Sequence, residues 1–188
     1  MSKRIYKKEK LETLIPLAQN GDIKALEEII RKIQKHVYAL FSHLTNKKED
    51  ISDLTQETLL KMAKKLPQLK NVNRFKPWLN QIITNTYNDF NRKNPSKFID
   101  YEDFNFDDIK ESFKLEPTDM YLFGEMEDIL KKALLTLPKN LRICLVLREF
   151  EGLSYQEISK LTNTAIGTVK SRISRARFRL QEKLKEFI

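Results

Sequence analysis

Apolar residues recur at intervals of three and four along most of the 188-residue chain, and the alternation of a strand is nowhere sustained. The pattern predicts an all-α protein. Leu11, Leu14, Ile15 and Ala18 make a first stripe, which Asn20-Gly21 interrupts. A second runs through Leu26, Ile29, Ile30, Ile33, Val37, Leu40, Phe41 and Leu44, five turns of one helix. In residues 50–66 the inward set is Leu54, Thr58, Leu59, Met62 and Leu66. Asp53, Gln56, Glu57 and Leu60 share the opposite face by i, i+3, i+4 and i+7 spacing. An apolar side chain framed by hydrogen-bonding groups is a common form of protein contact patch, although a lone exposed leucine is ordinary.

After Pro67 and a polar loop, Arg74–Lys93 resumes helical spacing, with Pro77 suited to a first turn. Leu79, Ile82, Ile83, Thr86 and Phe90 form its buried stripe. The remaining surface is expected to carry Asn80, Gln81, Thr84, Asn85, Asn88, Asn91 and Arg92, an amide-rich set able to read base edges as donor or acceptor. Phe75, Trp78 and Tyr87 offer area for stacking on unpaired bases, with a core position the better assignment for Phe75 and Trp78. Periodicity lapses from Asn94-Pro95 to Pro117, where Asp, Glu and Phe dominate and a linker is expected. Helical spacing returns over 119–135 and again from Pro138 to Phe150 (Leu141, Cys144, Leu145, Leu147), and Glu151-Gly152 turns the chain.

The last stretch carries the most chemistry. Ser154 and Glu157 fit a capping box that starts a helix at Tyr155, with Ile158 and Leu161 on its apolar side. Thr162-Asn163-Thr164 supplies turn and cap residues, and a second helix is expected to begin near Ala165. Val169, Ile173, Ala176 and Leu180 are its seam. Thr168, Ser171, Arg172, Arg175 and Arg179 gather on another face, and Lys170 and Arg177 on the opposite flank. One apolar seam beside a row of cations and small hydroxyls suits a helix lying in a DNA major groove. The alternative is a surface helix with a solvated basic face.

Charge sharpens this picture. Lys and Arg total 35 against 26 Asp and Glu, a net +9, unevenly spread. Residues 1–98 hold 20 basic and 10 acidic side chains (+10), 99–119 hold 2 and 8 (−6), and 120–188 hold 13 and 8 (+5). Two basic blocks flanking an acidic connector suit a polyanionic partner without specifying its sequence. The single cysteine, Cys144, sits in an apolar run and reads as a core thiol, which fits a reducing, cytoplasmic setting. No run approaches the ~18 apolar residues of a membrane span. The first ten residues lack the apolar core of a signal peptide. His36 and His43 are expected to be ordinary helix residues, and no metal cluster, glycine-rich phosphate loop or nucleophile–base pair is visible.

Four stretches in order resemble the extracytoplasmic-function (ECF) sigma factors of the sigma-70 family. They are AQNGDIKALEEII, DLTQETLLKMAKKL, FKPWLNQIITNTYNDFNRK and LPKNLRICLVLREFEGLSYQEISKLTNTAIGTVKSRISRARFRL. The most specific is GTVKSR-x-x-RAR following EGLSYQEI. The resemblance implies two small helical domains joined by an acidic linker: region 2 over 1–98, the linker over 99–118 and region 4 over 119–188. It implies a non-enzymatic, cofactor-free factor that binds core RNA polymerase at the largest-subunit clamp and the flap. Promoter DNA would be met as duplex at −35 and as single strand at −10, and an anti-sigma factor is a further expected partner. Carried onto this sequence, Asp53, Gln56, Glu57 and Leu60 would face the polymerase. Asn85, Asn88, Asn91, Arg92 and Lys93 would meet the −10 strand. Thr168, Lys170, Ser171, Arg172, Arg175 and Arg179 would meet the −35 duplex. Thr84, Tyr87 and Phe178 depart from the family pattern. A dimeric transcription regulator, a recombinase and a sigma-like polymerase modulator remain as rival readings.

Overall fold

The structure is a computed structural model, and it describes residues 6–94 and 119–186. The acidic linker expected over 99–118 lies outside them. All regular structure among the described residues is helical. The elements are α1 (Leu11–Gln19), α2 (Ile23–Ser42), α3 (Lys48–Lys65), α4 (Phe75–Lys93), α5 (Asp119–Leu135), α6 (Lys139–Glu149), α7 (Tyr155–Thr162) and α8 (Ile166–Lys185). Short 3-10 turns cover Tyr6–Lys8, Leu66–Gln68 and Val72–Arg74. The chain divides into two compact units, one built on α1–α4 and one on α5–α8, with Ser42–Asn46 grouped with the second.

In the first unit Gly21, at φ +90°, makes the tight turn between α1 and α2. Asp22 then starts α2. Its Oδ1 accepts from the Ala25 N–H at 3.1 Å, its Oδ2 accepts from the Tyr6 hydroxyl, and Tyr6 is itself buried. The Tyr6 hydrogen bond, followed by the Ala25 N–H, holds the Asp22 carboxyl below its ordinary value. Leu14, Ile15, Ile29, Val37, Phe41, Leu54, Met62 and Ile83 make the core, each fully enclosed. Leu26 and Ile30 lie only half-buried at the edge of the α2 stripe, and α2 stops at Ser42, so His43 belongs to the following turn.

The surface expected for α4 is narrower than its polar residues suggest. Asn80 and Thr84 are fully buried, as is Tyr87, because α4 packs on α3 and on the 3-10 turn at Val72–Arg74 over a broad arc. Tyr87 is therefore core and not a stacking platform. Phe75 is core as well, and Trp78 is half-buried against it with ring centroids 5.8 Å apart.

The second unit is organised by α8, which packs on α5, α6 and α7. Val169, Ile173 and Ala176 are buried and Leu180 half-buried, so the seam follows the four–three–four spacing. They meet the α6 residues Leu141, Cys144, Leu145 and Leu147 and the α7 residue Ile158 in one core. Gly152 (φ +67°) turns the chain between α6 and α7.

Candidate nucleic-acid and protein interfaces

The helix-turn-helix is fixed by local hydrogen bonds before any partner is involved. The Ser154 hydroxyl accepts from the Glu157 N–H (3.2 Å) while a Glu157 carboxylate oxygen accepts from the Ser154 N–H (2.8 Å), a complete capping box at the start of α7. Arg148 donates to the Leu153 carbonyl at 2.7 Å and lies over the Tyr155 ring, which pins the entry to α7. At the exit Asn163 takes the left-handed conformation (φ 49°, ψ 49°), one that asparagine tolerates better than most residues. The Ser159 hydroxyl bonds to the Thr164 carbonyl at 2.6 Å and the Thr164 N–H to the Ser159 carbonyl at 3.0 Å, so the turn is closed twice.

Thr164 does not cap the following helix. Its hydroxyl donates to the Thr162 carbonyl (3.0 Å) and accepts from Arg172 (3.2 Å), and α8 starts at Ile166 behind Ala165 without a side-chain cap. Among the described residues no side chain caps the start of α8, an arrangement that suits a phosphate.

The six positions expected to read duplex DNA do not form one patch. Ser171, Arg175 and Arg179 are exposed along one side of α8, with Thr168 half-buried at its edge. Among the described residues Arg175 bonds only within its own turn, to the Ser171 carbonyl and hydroxyl at 3.3 Å each. Arg172 is different: it is half-buried, donates to Thr164, and its guanidinium lies beside the Cys144 thiol. Burial pushes that thiol up, against the opposing pull of Arg172. Lys170 is exposed on the flank it shares with Arg177, roughly 140° from Arg175 at about 100° per residue. Arg177 is held by Glu149 at 2.6 Å, which keeps its guanidinium charged and ties α8 to the end of α6. Phe178 is 66% exposed beside Ser171 and Arg175.

In the first unit, Asp53, Gln56, Glu57 and Leu60 are all exposed on one face of α3, and Leu60 stands out at 71%. Behind this face Gln34, Lys35, Tyr38, Ser52, Thr55 and Leu59 line a groove of about 430 Å³ between α2 and α3, with Gln56 on its rim. On α4, Asn85, Asn88 and Arg92 make a line of exposed side chains that Gln81 extends by donating to Asn85 at 2.9 Å. Gln81 belongs to that line by its i, i+4 relation to Asn85, the one signal in the sequence that marks it. Asn91 stands off the line, half-buried with an enclosed Oδ1, and Lys93 is exposed at the helix end. Arg92 pairs with Asp89 at 3.1 Å. The periodicity of the sequence missed Lys61, which lies between α3 and α4 and contacts Glu57 (2.8 Å), Thr86 (3.3 Å) and Asp89 (3.7 Å).

Among the described residues no group of three or more His, Cys, Asp or Glu side chains could hold a metal, and no helix is long and apolar enough to cross a membrane. One helical unit thus carries a polar-framed leucine face and an amide line, and the other a basic helix-turn-helix. Comparison with known proteins specifies the class. Residues 29–96 match the family model for sigma-70 region 2, and residues 127–180 the model for sigma-70 region 4. The chain is 32% identical over 185 residues to the ECF RNA polymerase sigma-E factor of Escherichia coli K12, covering 94% of this chain and 95% of that one. To the sigma-E factor of Haemophilus influenzae it is 30% identical over 179 residues, 92% and 94% of the two chains.

Among solved structures, the sigma factor RpoE of Bartonella quintana, in complex with the anti-sigma factor NepR, aligns with a TM-score of 0.62 at 27% identity, over 86% of this chain and 98% of that one. CnrH, in complex with the cytosolic domain of CnrY, shares the fold with a TM-score of 0.63 at 20% identity, over 94% and 97%. The chain belongs to the sigma-70 family and is an RNA polymerase sigma factor of the ECF type. That family is one of non-catalytic transcription initiation factors.

Proposed function

We propose that this sigma factor docks on core RNA polymerase through the α3 face of Asp53, Gln56, Glu57 and Leu60. It then directs the enzyme to promoters through α8 and traps the −10 strand on α4. The observation that carries this reading is the exposed leucine ringed by Asp53, Gln56 and Glu57, on a helix that packs against α4, the helix whose exposed side carries the amide line. Polymerase and single-stranded DNA would meet neighbouring surfaces of one unit, so that recognition and strand separation are coupled. On α8, Ser171, Arg175 and Arg179 would face the −35 duplex with Thr168, and the uncapped helix start would take a phosphate. Arg172 would contribute by orienting the turn as well as by reaching DNA, and Lys170 by touching the backbone from its flank. On α4, Asn85, Asn88, Arg92 and Lys93 would approach the unpaired strand, with Asn91 at the inner edge.

Region 2 is assigned to residues 1–98, the linker to 99–118 and region 4 to 119–188, acting in the cytoplasm where polymerase works. The NepR complex of the Bartonella relative supports an anti-sigma factor as an additional partner. Run-off transcription on fragmented genomic DNA, with and without this protein added to core polymerase, tests the whole reading. Discrete new start sites sharing −35 and −10 sequences are expected. Binding to core without new starts would make the protein a polymerase modulator instead, and binding to DNA alone would make it a regulator.

A further inference from the structure

Lys61 occupies the seam between the two surfaces just described. Its ammonium donates to Glu57 on its own helix at 2.8 Å and to the Thr86 hydroxyl of α4 at 3.3 Å. It stands 3.7 Å from the Asp89 carboxylate. Asp89 in turn holds Arg92 at 3.1 Å. The four charges therefore run Glu57–Lys61–Asp89–Arg92, alternating in sign, from the face of α3 to the line on α4. The distances rank the contacts: Lys61 is committed to Glu57, Asp89 is committed to Arg92, and the Lys61–Asp89 link is the loose one. Side-chain exposure rises to 79% at Arg92, so neighbouring rotamers are open to the outer groups.

We infer that Lys61 is a positioning residue that transmits occupancy of Glu57 to Arg92. The inference rests on the reading of Glu57 as a polymerase contact. When a cation of the docked protein takes Glu57, Lys61 loses its nearer partner and closes on Asp89. Asp89 is then neutralised from the α3 side and its hold on Arg92 weakens. Arg92 is freed to meet a phosphate of the unpaired strand. In the free protein the same arginine is pinned by Asp89, which lowers its availability for single strands until polymerase is bound. A differential contact at each end of a contiguous ion-pair chain is what coupling between sites requires.

The relay can be driven without polymerase. Glu57→Gln removes the carboxylate charge and mimics its capture by a partner. Binding of the full chain to a fluorescein-labelled oligothymidine about a dozen nucleotides long is measured by anisotropy across a salt series. The panel is the parent protein, Glu57→Gln, Lys61→Met, Arg92→Ala, and Glu57→Gln combined with each of the last two. Methionine keeps an unbranched stem of similar length at residue 61, so the α3–α4 packing is preserved, and thermal melting checks it. Glu57→Gln is expected to tighten binding at least about twofold, the lower end for residues in one ion-pair network. It should also steepen the salt slope by about 0.7, one added phosphate contact on a single strand. Both gains should vanish in the Lys61→Met background and in the Arg92→Ala background. A gain that survives Lys61→Met, or survives Arg92→Ala, is a bulk charge effect and overturns the relay, as does the absence of any gain. Core-polymerase affinity of Glu57→Gln is measured in parallel. An unchanged value overturns the docking reading itself, separately from the outcome of the oligonucleotide series.

Discussion

Arg172 and Arg175 are one turn apart on the same helix, yet their surroundings predict different consequences for removal. Arg175 makes two bonds at 3.3 Å, both to Ser171 in its own turn, and is exposed. Arg175→Ala should leave stability within about ±0.5 kcal/mol, the usual range for a surface substitution. If Arg175 reads a base edge, the specific promoter should lose about 1–3 kcal/mol, roughly a five- to 150-fold weakening at ~1.4 kcal/mol per decade. Arg172 reaches back across the turn to the Thr164 hydroxyl. Arg172→Ala removes one charge-assisted bond in a partly enclosed site, costing about 1–2 kcal/mol, and leaves the Thr164 hydroxyl without its arginine donor.

The expected result is a split: Arg175→Ala is impaired on DNA alone, and Arg172→Ala in both stability and DNA binding. Urea unfolding followed by circular dichroism reads the first property. Holoenzyme binding to promoter and random duplex at one fixed salt concentration reads the second, because salt alone shifts such affinities. The reasoning fails if the two variants are equally stable and lose promoter affinity equally. Arg172 would then point outward to DNA, and its contact with Thr164 would contribute nothing.

Three further outcomes follow from contacts already described. Ser154→Ala should cost ~1 kcal/mol of stability by opening the capping box, and in a cycle with Glu157→Ala the two losses should be less than additive; full additivity in urea unfolding would dissolve the box. Folding lowers the Asp22 carboxyl, chiefly through Tyr6, so its contribution is complete above the unfolded value of about 3.9 and disappears as pH falls through the lower folded value. Tyr6→Phe should therefore flatten the loss of stability below about pH 4, and an unchanged acid limb in urea titrations would refute the link. Phe178→Ser should keep the melting temperature of the parent protein, since the ring is mostly in solvent; a clear drop in differential scanning fluorimetry would mean that the ring is packed.

The face of α3 was legible because its inward positions, Leu54, Thr58 and Met62, leave only one narrow arc for Asp53, Gln56, Glu57 and Leu60. Likewise the seam of α8 follows directly from Val169, Ile173 and Ala176. On α4 the same logic overreached. It assigned Asn80 and Thr84 to solvent with the other amides, whereas both are enclosed on a helix that is packed from more than one direction. Polarity indicates exposure only where a helix has a single buried side. Long side chains were hidden for another reason. The reach of Arg172 to Thr164 and of Lys61 to Asp89 depends on how neighbouring helices approach, which residue spacing along one helix does not encode. Thr164 shows the same limit, since its hydroxyl had one competing acceptor, the Thr162 carbonyl, and one competing donor, Arg172, besides the helix start.

The division of labour around α8 bears on how such a factor can change over generations. Seam residues and outward residues are almost disjoint sets, so Ser171, Arg175 and Arg179 can be exchanged for other side chains while Val169, Ile173 and Ala176 go on holding the helix. If those outward residues read the promoter as proposed, a duplicated copy of the gene could acquire a new preference by a few substitutions and remain folded at every step. Arg172 is the position where that freedom stops. If Arg172 also reaches DNA as proposed, it serves the turn and the outward face together, and a lineage that retargets its promoters should alter the residues on either side before it alters this one.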